Sequence, residues 1–142
     1  MGFQAAVRAA AIDTLGDYAV GAGVKLQKYP GRPRSVNPPT AFVDVMRETI
    51  EYVGQLVRRT VQADIVLVHG TFDSAEAAAQ KDAFVDGYID FVRDNLEAAG
   101  DNSTLGVVAT EDDPTYTPEW LPRAEQRTYY ATRITLEGYT GE

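Results

Sequence analysis

The chain has 142 residues, 13 Lys and Arg against 21 Asp and Glu, and no cysteine. This length suits one domain, residues 1–142, with its own core; the missing cysteine excludes disulfides, thiolate zinc sites, iron–sulfur clusters and a Cys nucleophile. A net charge of −8 argues against general nucleic-acid binding, and no apolar run reaches the roughly 18 residues of a membrane helix. Met1-Gly2-Phe3-Gln4 lacks the basic-then-apolar pattern of a signal peptide, so a soluble domain made inside the cell is expected.

Phe3, Val7, Ala11, Leu15 and Tyr18 recur at helical spacing and predict an Ala-rich helix over 3–19, stopped by Gly21 and Gly23. Val24–Tyr29 alternates as a short strand. A proline-bearing basic stretch follows, with Pro30, Pro33, Pro38 and Pro39, which reads as extended chain. Segments 41–52 and 58–68 predict an antiparallel hairpin turning at Gly54-Gln55. In the first of them neither face is cleanly apolar. Ile65-Val66-Leu67-Val68 is apolar on both faces and predicts a central strand covered above and below. Asp73 and Glu76 have the form of a capping box opening a helix over 74–99. Its apolar stripe is Val85, Tyr88, Ile89, Val92 and Leu96, with Gly100 as the stop. A short strand over 105–110, an acidic proline-bearing loop over 111–125 and a strand over 128–137 complete the chain. The order α-β-β-β-α-β-β predicts an α+β fold, mainly an antiparallel sheet with two helices packed on it.

Charge is uneven. Residues 1–70 hold eight Lys and Arg against six Asp and Glu; residues 71–142 hold five against fifteen. One reading is a solvated acidic helix and loop. The other is a subunit with two unlike faces that meet head to tail. The second makes Lys25, Lys28, Arg32, Arg34, Arg58 and Arg59 the basic partners of Asp82, Asp86, Asp90, Asp94, Glu111, Asp112 and Asp113. Asp82, Asp86, Asp90 and Asp94 recur every four residues, one ridge of a helix. Tyr116 and Trp120 join the interface candidates, because such aromatics are enriched in interface cores.

Residues arranged for chemistry are few in this sequence. His69 is the sole histidine, and no nucleophile elbow, phosphate loop or dinucleotide fingerprint is present. Glu111-Asp112-Asp113 lacks the spacing of a calcium loop and reads as an acidic turn. Asp44 and Asp64 stand among large apolar neighbours and read as edge or interface residues, replaceable by Asn without loss of fold. No catalytic residue, metal or cofactor is expected.

The pattern resembles the tail terminator proteins of long-tailed bacteriophages, the lambda-like minor tail protein U group. The resemblance rests on the N-terminal helix leading to Gln27-Lys28-Tyr29-Pro30, on the Pro-rich turn into Pro38-Pro39-Thr40-Ala41-Phe42-Val43, on the hairpin, on the long helix with Asp82-Ala83-Phe84-Val85-Asp86, and on a late strand with paired tyrosines. It spans nearly the whole chain, but in element order and texture. It implies a structural virion protein without enzymatic activity. The role would be a homo-oligomeric ring, typically a hexamer, that caps the tail tube, stops its polymerisation and offers a surface to the head–tail connector or stopper protein. DNA would only pass through the lumen, where an acidic lining would repel phosphate. The protein would assemble in the host cytoplasm, reside at the head-proximal end of the tail and touch no membrane. Another head–tail joining protein, or a small ligand-binding or enzymatic domain, are the alternatives.

Overall fold

The computed structural model describes residues 3–71, 75–94 and 103–141. Helix α1 spans Phe3–Gly21, strand β1 Gln27–Tyr29, β2 Thr40–Val53 and β3 Leu56–Thr71. Helix α2 spans Ala75–Asp94, β4 Ser103–Tyr116 and β5 Tyr129–Gly141. The fold is α+β: one five-stranded sheet in the order β1-β2-β3-β5-β4, with both helices on one face. The sheet is mixed, because β1 pairs parallel with β2 while every other pair is antiparallel.

The predicted face of α1 is the buried one: Val7, Ala11 and Leu15 are fully covered. Gly23 ends the helix in the left-handed region, φ +74°, and the Val24 N–H donates to the Ala19 carbonyl at 2.9 Å. The strand expected over 24–29 is confined to Gln27–Tyr29. It is parallel because the proline stretch does not fold back as a hairpin. That stretch crosses the sheet face opposite the helices before entering β2.

β2 and β3 form the expected hairpin, with Gly54 at φ +64° in the first central position of its two-residue turn. A bulge between Val43 and Met46 explains the blurred alternation of this segment. Before it, Ala41 and Val43 join the core under the helices and Phe42 the core behind the sheet. Beyond it Met46 still packs against the core under the helices, and from Thr49 to Val53 the strand is exposed.

β3 is the central strand its sequence predicts. Val61, Ala63, Ile65 and Leu67 pack with Leu15, Val85, Tyr88 and Val92 of the helices. Val66 and Val68 pack on the other side with Val36, Phe42, Leu121, Tyr129 and Ala131. Each such Val, Ile or Leu contributes about 1.5–3 kcal/mol on burial. The second layer of cover comes from two proline-bearing loops rather than a helix. They are tied across the sheet: the Trp120 indole N–H donates to the Pro33 carbonyl at 2.8 Å and the Tyr129 hydroxyl to that of Val36 at 3.4 Å.

One boundary is corrected. Glu111, Asp112 and Asp113 are strand, not loop: β4 runs on to Tyr116 and sets them opposite Arg133, Thr132 and Ala131 of β5. Cross-strand partners outweigh the low strand propensity of an acidic run. In α2, Val85, Tyr88 and Val92 are buried as predicted. The capping pair Asp73 and Glu76, and the stretch from Leu96 to Gly100, lie outside the residues whose side chains are described.

Candidate functional site

The sheet separates part of the charge that the sequence separates, although exposed Asp13 and Asp17 lie on α1. α1 lies over β1, β2 and β3; α2 lies over β3, β5 and β4. Exposed Lys25 and Lys28 therefore stand at the β1 end, and exposed Asp82, Asp86, Glu111 and Asp112 at the β4 end. Arg34, also exposed, lies in the proline stretch behind the sheet, and Asp90 lies within reach of Tyr18 of α1. Asp94 closes α2, its side chain outside the described set. Arg58 and Arg59 belong to neither end; they sit near the hairpin tip. There Arg59 Nε donates to Glu48 at 2.6 Å and Gln4 Nε2 does so at 2.9 Å. These contacts hold the Glu48 carboxyl below its usual range, the Gln4 hydrogen bond most of all.

Several candidates are spent within the chain. Arg32 Nε donates to Asp44 Oδ1 at 2.7 Å, and Arg133 Nη1 lies 3.1 Å from Asp44 Oδ2 and 3.5 Å from Asp64 Oδ2. The Asp44 side chain is only 6% exposed. Asp44 and Asp64 are thus joined by one arginine on the loop-covered face. Of the two, read from sequence as edge or interface residues, Asp64 is on the doubly paired strand β3 and so not at an edge, whereas Asp44 stands where the outer side of β2 becomes unpaired. Arg32 also lies over the Trp120 ring at 5.0 Å, and that ring meets Phe42 edge-on. Trp120 and Tyr116 pack against the core behind the sheet and are half-buried, so they fasten the loops more than they offer a surface. Burial, with the Asp44 charge adding, pushes the Tyr116 hydroxyl up to about 12.

A second polar chain clasps α2 to the sheet. Lys81 Nζ donates to Asp112 Oδ2 at 2.8 Å and also pairs with Asp82. Thr132 donates its one hydroxyl proton to Asp112 Oδ1 at 3.2 Å. The 2.9 Å contact between His69 Nε2 and Thr132 Oγ1 must then run from the ring N–H to the hydroxyl oxygen. Burial, reinforced by the Lys81 charge, pushes His69 down to about 4, so the ring is neutral at pH 7. The Thr132 proton points away from His69, the reverse of what activating that hydroxyl as a nucleophile needs. His69 also borders an apolar groove of 380 Å³ with Tyr18, Leu26, Pro39, Leu67 and Phe84. No three His, Asp or Glu among the described residues gather as metal ligands, and no described helix is long and apolar enough to cross a membrane.

No protein-family model matches the chain, and no curated protein does.

The surface therefore speaks for itself. The residues sequence reasoning passed over are apolar and exposed: Ile50, Tyr52, Val53 and Leu56 at the hairpin end, and Val108 on β4. Only Ile50 and Tyr52 fall in segment 41–52, whose alternation the bulge blurs; Val53, Leu56 and Val108 lie outside it and left no such mark. Nothing local announced the Lys81–Asp112–Thr132–His69 chain, whose members are brought together by the pairing of β3, β5 and β4 and by the packing of α2 on that sheet.

Proposed function

We propose that the chain is a ring-forming structural subunit of the tail terminator kind, capping a phage tail tube and presenting a docking surface to the head–tail connector or stopper protein. The observation that carries this reading is the placement of unlike charge at opposite ends of one sheet. A surface whose two ends attract each other favours a head-to-tail contact over a two-fold one, and a head-to-tail contact that closes is a ring. The resemblance in element order supplies the tail role, and the polar chemistry described above serves packing. Hexamer and virion location come from the same resemblance. Electron microscopy of particles assembled without this protein tests the role. Overlong tails are expected. Tails of normal length without heads would make it a joining protein of another kind, and normal particles would remove the tail role.

A further inference from the structure

Both edges of the sheet are open. β1 covers only Thr40, Ala41 and Phe42 of β2, so among the described residues no strand pairs the outer side of β2 from Asp44 to Val53. β4 closes the other end, and no described strand pairs its outer side either. Open edges invite another strand and are ordinarily blunted with charge, proline or shortness. Here both are long. From Ser103 to Thr110 β4 carries no charged residue. Each edge also holds apolar side chains in water: Ile50 is 50% exposed, Tyr52 77%, Val53 62% and Val108 53%.

From these edges we infer that the outer half of β2 in one copy pairs antiparallel with β4 of a second copy, so that the sheet continues from subunit to subunit. This deepens the ring reading above and rests on it for closure. Direction supports it. β3 runs against β2, β5 against β3 and β4 against β5, so β4 and β2 run in opposite senses. A copy set alongside in the same orientation therefore brings antiparallel strands together. Charge and face support it as well. Setting Arg47 opposite Glu111 places both on the face away from the helices, since their in-chain partners there are Gln62 and Arg133. The same register sets Thr49 opposite Ala109 and Ile50 opposite Val108, and uses β4 up to Pro114, which has no N–H to donate. It also shifts each copy along the strands relative to the last, the stagger that closing a sheet requires.

The absence of cysteine makes the test clean. Thr49→Cys and Ala109→Cys chains are purified separately, mixed, and treated with a short bis-maleimide across a concentration series, with mass measured in parallel. Cross-linking between the two variants, little within either alone, and a ladder from the doubly substituted chain are expected. Val108→Lys, at a site already exposed in one copy, should leave the circular dichroism unchanged and raise the concentration for half-assembly by about tenfold or more. Oligomers whose cross-links avoid the 49–109 pair, or that join Thr49→Cys chains only to each other in a two-fold contact, overturn the edge pairing and leave the ring reading standing or replaced by a dimer. A chain monomeric at every concentration overturns both. The 49–109 cross-link together with normal tails in particles lacking the protein keeps the edge pairing and removes the tail role.

Discussion

Asp44 and Arg133 are 89 residues apart and meet at 3.1 Å behind the sheet, in a cluster that also draws in Arg32 and Asp64. The cluster joins β2, β5 and the first proline loop. Its pivot is the Asp44 carboxylate, nearly out of solvent and facing two guanidinium groups. Asp44→Asn removes the charge but not the shape, leaving two cations with half their partner. Stability should fall by about 1–2 kcal/mol, discounted from a fully buried pair because both arginines reach water. Asp64→Asn, whose side chain is 27% exposed, should cost under about 1 kcal/mol. Urea denaturation of the two variants checks the order; equal losses would place the pivot elsewhere.

His69 makes stability depend on pH. In the unfolded chain it gains a proton near 6.5; in the folded chain it resists until about 4. Between those values the unfolded state binds more protons, so stability falls as pH falls. The groups facing the ring are Lys81, which opposes protonation, and Asp112 and Asp82, which favour it. Lowering the pH from 7 to 5 should cost on the order of 1–2 kcal/mol, mostly before the carboxylates titrate. His69→Gln should flatten the slope between 6.5 and 5, which denaturation curves at four or five pH values would show. An unchanged slope would assign it to the acidic groups.

Tyr88 is fully buried on α2, and its hydroxyl has no hydrogen-bond partner among the described residues. Burial raises the pKa of that hydroxyl and leaves its desolvation uncompensated. The ring itself packs beside Tyr18. Tyr88→Phe keeps the ring and removes the orphan, so thermal stability should stay level or rise by about 1 kcal/mol. A loss of more than about 1 kcal/mol would mean that the hydroxyl does have a partner.

How far the sequence reached follows a physical line. Periodicity found α1 and the stripe of α2, because a helix packing one face writes that face at a fixed spacing. It found β3, because only a strand covered twice can be apolar on both sides. It stopped β4 too early at Thr110, where local composition turns acidic. Arg133 and Thr132, which hold those acids on the strand, come some 20 residues later and leave no mark nearby. The same limit hid the site. Charge asymmetry was visible as a count, but which charges remain on the surface was not. Arg32 and Asp112 are exposed yet engaged within the chain, as is Arg59, and Lys28 and Arg34 are exposed. The open edges were invisible, since an edge is a property of strand order.

That sorting sharpens what charge reversal should do. Arg32→Glu would place a carboxylate beside Asp44 and threaten the folded chain itself, so its effect on assembly would be uninterpretable. Lys25→Glu with Lys28→Glu alters only exposed positions at the β1 end and should leave stability within about 0.5 kcal/mol. If the β1 end of one copy approaches the acidic β4 end of the next, these two charges steer the encounter. Association should then slow by roughly tenfold in the double variant, and more at low salt than at high. For the unaltered chain, raising salt from about 0.1 M to about 1 M shortens the screening length from about 10 Å to about 3 Å and should slow association by a similar factor. Dissociation should change little, because apolar contact and strand pairing rather than screened charge would hold the formed interface. Stopped-flow light scattering of both proteins at two salt concentrations separates the two rates. A double variant that associates at the normal rate, with no salt dependence in either protein, would reduce the charge separation to an ordinary solvated surface and leave the strand edges as the only attraction between copies.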